Sequence, residues 1–379
     1  MRKPLSLYIH IPFCNSRCAY CNFVSKVGNL SEKSRYTANL LEEIRMRAKD
    51  FNPRYEVSTI YIGGGTPSCM EDGTIARILN EIYSKMTVRN QAEITLEVNP
   101  ESVTQQKVLE YARAGVNRIS IGLQCIQPSL LALMGRIHTL KDYERAVSDF
   151  RRVGITNIST DLILGYPNQK LSDVKNSLAK LIELDIPHIS VYMLSVEEGT
   201  KLAQQIENKQ LVLPTEKNTI LMYQSAVKQL AEAGYVRYEV SNFAKIGYRS
   251  KHNQVYWDRG EYLGLGASAH SFVDGVRFAN FDSIFEYNDR IEHLKFPVES
   301  TDKISVEEAK EEVVMLSLRT KEGLNLDAYK KQFGEDFAAT KKDKIADLMK
   351  LGLLALDGSA LRVTDAGFLV LNRIVLELV

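Results

Sequence analysis

Three cysteines crowd into eight positions near the start of the chain. The stretch "YIHIPFCNSRCAYCNF", residues 8–23, sets Cys14, Cys18 and Cys21 in a C-x3-C-x2-C spacing and puts Phe23 where a fourth thiol would extend the series. Thiolates three and four positions apart on a loop can converge on one inorganic centre, whereas inert buried cysteines have no reason to cluster. The spacing therefore predicts a metal centre. Zinc is the ordinary alternative, but a structural zinc site takes four ligands, and the nearby fourth donor, His10, lies on a predicted strand. A [4Fe-4S] cluster normally takes four cysteines, so three would leave one iron open to a chelating reactant or cofactor, such as the amino and carboxylate groups of a methionine moiety. Cys69 and Cys125 have no paired spacing and read as buried, unreactive thiols.

A loop of this kind needs a rigid frame. Strands are predicted at Leu5 to Phe13, Val57 to Ile62, Glu93 to Val98, Arg118 to Leu123, Asn157 to Leu164 and His188 to Val196. Helical periods lie between and after them, at Ser31 to Arg47, Thr104 to Arg113, Ser172 to Leu184 and Thr215 to Ala233. Six such βα units predict an α/β fold with a parallel sheet, curled or flat, whose sites sit at the C-terminal strand ends. There the sequence places its unusual residues: the cysteines after strand one, "GGGTP" after strand two, Glu97 ending strand three, Gln124 after strand four and Asp161 within strand five. Alternation also sets Tyr8 on one face with His10 and Pro12, turned toward the same cavity.

The remainder of the chain changes texture. Residues 1–240 hold the βα units, 241–290 form an aromatic, glycine-rich connecting segment, and 291–379 predict three helices, a hairpin turning at Asp357-Gly358 and a helix capped by Thr364. That last order suggests a winged-helix-like domain. Its 13 Lys/Arg against 16 Asp/Glu give a net charge of −3, which argues against a surface for nucleic acid. "GLGASAH", residues 264–270, lacks the third glycine of a dinucleotide fingerprint and reads as a turn. Over the whole chain 48 basic residues face 47 acidic ones, so no global field draws in a polyanion. No signal peptide, membrane span or disulfide framework is visible, and a reducing cytoplasm fits the five cysteines.

The cysteine spacing directly after a first strand resembles that of radical S-adenosylmethionine proteins, and "YIGGGTPS", residues 61–68, resembles their glycine motif. "YIHIPFC", "GGGTP", "ITLEVNPE", "RISIGLQ", "MGR" and "DLILGYP", in this order, resemble oxygen-independent coproporphyrinogen oxidases and their relatives, the HemW-type heme chaperones. The resemblance spans nearly the whole chain. It implies a partial (β/α)6 barrel, a [4Fe-4S] cluster on Cys14, Cys18 and Cys21, and S-adenosylmethionine contacts at Tyr8, Gly64, Gly65, Thr66, Glu97, Gln124, Arg136 and Asp161. A side chain added at either glycine is expected to block the cofactor and spare the cluster.

Phe23 in place of a further cysteine, and Tyr8 only seven residues from the start, resemble the chaperone branch more than the oxidase branch. "HNQVYW", residues 252–257, is similar to a motif of the heme chaperones, so that His252 is a candidate heme ligand and Trp257 a candidate flat surface for the porphyrin. The implied partners are heme, acceptor hemoproteins and an electron donor for the cluster, with no nucleic acid; a homodimer is left open, and no catalytic residue is singled out. The alternative reading is a radical oxidase that decarboxylates coproporphyrinogen III or a related tetrapyrrole.

Overall fold

The β-branched runs pair with one another in chain order. In the computed structural model, which describes residues 2–379, β1 (Lys3–Ile11), β2 (Tyr55–Gly64), β3 (Val88–Val98), β4 (Arg118–Gln124), β5 (Asn157–Leu164) and β6 (His188–Met193) make successive parallel pairs. Parallel pairing demands crossovers, which the helices Leu30–Phe51, Thr74–Lys85, Gln105–Arg113, Leu140–Arg152 and Leu171–Glu183 supply. Their apolar faces cover one face of the sheet. Ile9, Ile60, Leu96, Ile119, Ile158 and Ile189 form one buried core there with Leu40, Ile78, Val108, Tyr143 and Leu178.

The sheet never closes on itself. Beyond β6 lie β7 (Val236–Arg237) and β8 (Asn242–Ala244), the latter antiparallel to β6. On the other side β9 (Tyr262–Leu265) pairs parallel to β1 and is followed by β10 (His270–Val273), β11 (Val276–Asn280) and β12 (Val298–Lys303). The order is β12-β11-β10-β9-β1-β2-β3-β4-β5-β6-β8-β7, an α/β partial barrel with added strands at both edges. Residues 262–303 thus belong to the sheet and run across position 290, where the sequence reading divides the chain. Strands of four to six residues give too short a period to stand out in sequence.

A second core begins at Val314 and ends at Leu378. It holds the helices Val306–Ser317, Leu326–Phe333 and Lys342–Lys350 and a small sheet of β13 (Leu324–Asn325), β14 (Leu354–Asp357) and β15 (Ala360–Val363) in the order β13-β15-β14. The hairpin turns at Gly358, whose φ of +59° favours glycine, and Thr364 caps the following helix by accepting from the Gly367 amide. No helix among the described residues is long and apolar enough to cross a membrane.

One buried carboxylate ties the first helix to the late strands. Glu43 accepts from the Gly266 amide at 2.7 Å, Asn280 Nδ2 at 2.8 Å and the Tyr287 hydroxyl at 2.8 Å, with Arg47 at 4.0 Å. Burial pushes its carboxyl above the usual range, and these donors hold it down. Removing one partner of such a network strands the others without water. Glu43→Ala is therefore expected to cost about 3–5 kcal/mol of stability, and Glu43→Gln less, in urea denaturation of the whole chain.

Candidate functional site

The cysteines occupy a loop pinned at its neck. Phe13 pairs with Lys26, with the Cys14 amide donating to Lys26 O at 3.0 Å and the Lys26 amide to Pro12 O at 3.0 Å. Farther along, the Ala19 amide reaches Met134 O at 3.0 Å, and His10 Nε2 bonds Val24 O at 2.9 Å. The loop is thereby held over the C-terminal ends of the parallel strands. Cys14, Cys18 and Cys21 are free thiols, partly exposed, and all three line one cavity of about 410 Å³. Cys69 and Cys125 lie buried, their thiols pushed up to about 11 and about 12 by desolvation.

Strand register builds the rest of the cavity in rows. Glu97, Ser120, Ser159 and His188 stand opposite one another across β3 to β6, and Gly122, Asp161 and Ser190 form the next row toward the cysteines. Gly64, Gly65, Thr66, Glu97, Gln124, Arg136 and Asp161 all line the cavity with the three thiols. Gln124 ends its strand at φ +66°, a left-handed conformation that a non-glycine residue holds at a cost. Arg136 Nη1 lies 3.6 Å from Cys18 Sγ and Thr66 Oγ1 3.4 Å from Cys14 Sγ. Asn99, which the motif reading passed over, joins these two: it donates to Thr66 Oγ1 at 3.1 Å and accepts from Arg136 Nη2 at 2.8 Å. Glu97 accepts from the Tyr61 hydroxyl at 2.6 Å and the Gly64 amide at 3.1 Å. Burial pushes its carboxyl up to about 7, and raises Asp161 as well.

Four expectations change in the folded chain. Tyr8 is not in the cavity wall; it stands behind Tyr61, with its ring centroid 6.2 Å away and its hydroxyl 3.0 Å from His10 Nδ1. A Cβ at Gly64 would meet the His10 ring at 2.4 Å, and one at Gly65 would meet Phe13 O at 2.6 Å and Ile11 O at 2.8 Å. A side chain at either glycine would therefore push on β1 and the neck of the cysteine loop, so cofactor and cluster are not separable there.

His252 faces neither cavity nor solvent. Its Nδ1 is 2.8 Å from Thr59 Oγ1 and its Nε2 2.9 Å from the Tyr256 hydroxyl, so both ring nitrogens are occupied in a residue 1% exposed, and an iron ligand is not what this geometry offers. Burial pushes its pKa down to about 3. Glu93 takes the amides of Lys251 and His252 at 3.1 and 2.9 Å, which fixes the helix Lys251–Trp257 against β3. Asn253 lines the main cavity, while Trp257 lines a second cleft of about 420 Å³ toward the C-terminal unit, with Tyr329, Leu324 and Arg249. Tyr238 and His188 stand in the wall between the two: Tyr238 lines the cleft and its hydroxyl lies 2.8 Å from Nε2 of His188, which lines the cavity.

Three free thiols lining one cavity are a donor set that fits a thiolate-held cluster. Among the described residues no three His, Cys, Asp or Glu side chains converge as one ion would require. The irons of a cubane stand apart, so its thiolates should surround a volume instead of meeting at a point. The backbone at Gly64 and Gly65 and the polar groups of Thr66, Gln124, Arg136 and Asp161 fit a ligand with amino, carboxylate and hydroxyl groups beside those thiols.

Comparison with known proteins agrees. The Radical SAM superfamily profile matches residues 8–181, and the HemN C-terminal domain profile matches residues 304–370. The solved coproporphyrinogen III oxidase HemN of Escherichia coli, described as a radical SAM enzyme, superposes with a TM-score of 0.88 at 24% identity, covering 100% of this chain and 90% of that one. The fold and cysteine loop are those of the radical S-adenosylmethionine superfamily, which implies S-adenosylmethionine and a [4Fe-4S] cluster. The protein called heme chaperone HemW in Bacillus subtilis is 34% identical over 97% of both chains, and the one in Lactococcus lactis is 34% identical over 99% of this chain and 97% of its own. A mitochondrial radical S-adenosyl methionine domain-containing protein 1 of Bos taurus is 33% identical over 98% of this chain and 87% of its own. Within the superfamily, this chain belongs to the family of the HemW heme chaperones.

Gly65→Ala is expected to lower reconstituted iron content and thermal stability together, because its Cβ meets loop backbone; iron at the wild-type ratio in a variant of unchanged Tm would contradict this. His252 has a folded pKa below its ordinary 6.5, so its share of stability is present above that pH and is lost as pH falls from about 6.5 toward about 3. His252→Gln, which does not titrate, should show a shallower loss between pH 7.5 and 5 in urea denaturation. It should also leave the heme absorption spectrum of the loaded protein unchanged.

Proposed function

We propose that this protein is a heme chaperone of the cytoplasm that binds heme beside an S-adenosylmethionine and [4Fe-4S] site and passes it to acceptor hemoproteins. Cys14, Cys18 and Cys21 would hold the cluster, and Gly64, Gly65, Thr66, Glu97, Gln124, Arg136 and Asp161 would cradle S-adenosylmethionine. When bound and reduced by an electron donor, the cluster supplies one-electron chemistry to the cofactor's sulfonium. The chain's own residues hold the site: Arg136 and Asn99 brace the loop, and Glu97 orients the Gly64 backbone.

The observation that carries the chaperone reading over the oxidase reading is Phe23. At the cavity mouth, where a further thiol would follow Cys21, it presents a ring that is 62% exposed and adds no metal ligand. Tyr192, Met193 and Leu194 face the same mouth and extend this apolar rim, which suits a flat apolar ligand. The relatives named heme chaperone, matched over almost their whole length, support the same reading. The HemN-like fold favours the second reading, oxidation of a tetrapyrrole side chain, and one preparation decides between them.

Anaerobically reconstituted protein should bind heme and transfer it to an apo-hemoprotein, and should form no protoporphyrinogen from coproporphyrinogen III under reducing conditions. Serine at Cys14, Cys18 or Cys21 should abolish the brown chromophore, while Cys69→Ser and Cys125→Ser should keep it. Robust decarboxylation with no heme retained would assign the chain to the oxidase activity.

A further inference from the structure

Arg118 opens β4 at the far end of the cavity from the cysteines. It is 1% exposed yet lines the cavity. A guanidinium carries five N–H donors in a fixed fork. Its Nε is fully buried without a hydrogen-bond partner, and the carboxylates that feel its charge, Glu97 and Asp161, stand outside ion-pair distance. A buried cation placed in this way is costly, and a partner that arrives from outside is one arrangement that offsets the cost.

The surroundings say what kind of partner. Arg118 opens the strand that Gln124 ends, about 20 Å of backbone away, so the single carboxylate of a cofactor whose methionine end lodges beside the thiols would lie nearer Arg136 than Arg118. The walls between are Ser120, Ser159 and Ser190, with His188 held neutral between Ser159 Oγ at 2.7 Å and the Tyr238 hydroxyl. Glu97 and Asp161 face the same space and repel a phosphate dianion more strongly than a carboxylate, and one planar monoanion matches a single fork bidentately.

We propose that Arg118 forms the floor of a second ligand subsite, which takes one carboxylate of the molecule the protein carries while the remainder of that molecule lies toward the apolar mouth. The assignment rests on the heme reading, because heme bears two carboxylates on flexible arms beside an apolar ring.

The test uses cluster-loaded protein titrated with heme and with heme dimethyl ester, whose carboxylates are masked. Wild type should bind heme about tenfold more tightly than the ester. Arg118→Met should bind both equally, at the ester level, with cluster absorbance and S-adenosylmethionine binding unchanged. Arg118→Lys should lose a few-fold for heme and nothing for the ester. Should the Met variant fail to fold, the lysine variant gives the same comparison. Heme binding indifferent to both substitutions, or equal wild-type affinity for heme and ester, overturns the subsite and leaves the chaperone reading intact. A wild type that binds neither compound overturns the chaperone reading and this assignment with it.

Discussion

The register of six parallel strands is the constraint on which the rest of the molecule depends. Because side chains alternate faces, a slip of one residue anywhere from β1 to β6 would send the polar rows into the helix-packed core and the isoleucines into the cavity. The two faces differ enough to forbid it. One carries Ile60, Leu96, Ile119 and Ile158, fully buried under the crossover helices. The other carries Glu97, Ser120, Asp161, Ser159 and His188. Apolar burial on the outer face holds a concave face that by itself opposes folding, since its carboxylates are desolvated and Glu97 is pushed up to about 7.

Much of this was legible in the residues. The six strands and the loop that follows the first were readable because β-branched runs and clustered thiols are local signals, and the convergence of 'GGGTP', Glu97, Gln124 and Asp161 follows from one rule about parallel sheets. The polar groups that line one cavity with the cysteines were legible as strand-end exceptions to an apolar pattern. What was not legible depends on distant partners. His252 stands in a motif similar to that of heme chaperones, yet its ring is claimed by Thr59 and Tyr256 and its backbone by Glu93, contacts that span up to 193 positions. Gly64 and Gly65 look like room for a ligand from sequence; only the path of β1 and the loop neck shows that their missing side chains make room for the His10 ring and for backbone of Ile11 and Phe13. Arg118 passed unnoticed at the head of "RISIGLQ" because a strand-initial arginine is ordinarily solvated, and burial cannot be read from one strand alone.

The late strands teach the same lesson at larger scale. β9 joins β1 through four residue pairs and is locked by the Glu43 carboxylate of the first crossover helix. A short strand gains its identity from the edge it completes, so β9 to β12 are products of the sheet already built before them. The C-terminal unit differs, since its helices and hairpin carry their own caps and turn residues and its core is self-contained.

The partition made by His188 and Tyr238 has an evolutionary consequence. Two hollows that share a hydrogen-bonded pair in the wall between them are coupled in sequence: a replacement at either residue of the pair reshapes both. A substitution of His188 or Tyr238 that changes what the main cavity holds therefore also changes the seam against the C-terminal unit, and the two hollows are inherited together through that pair.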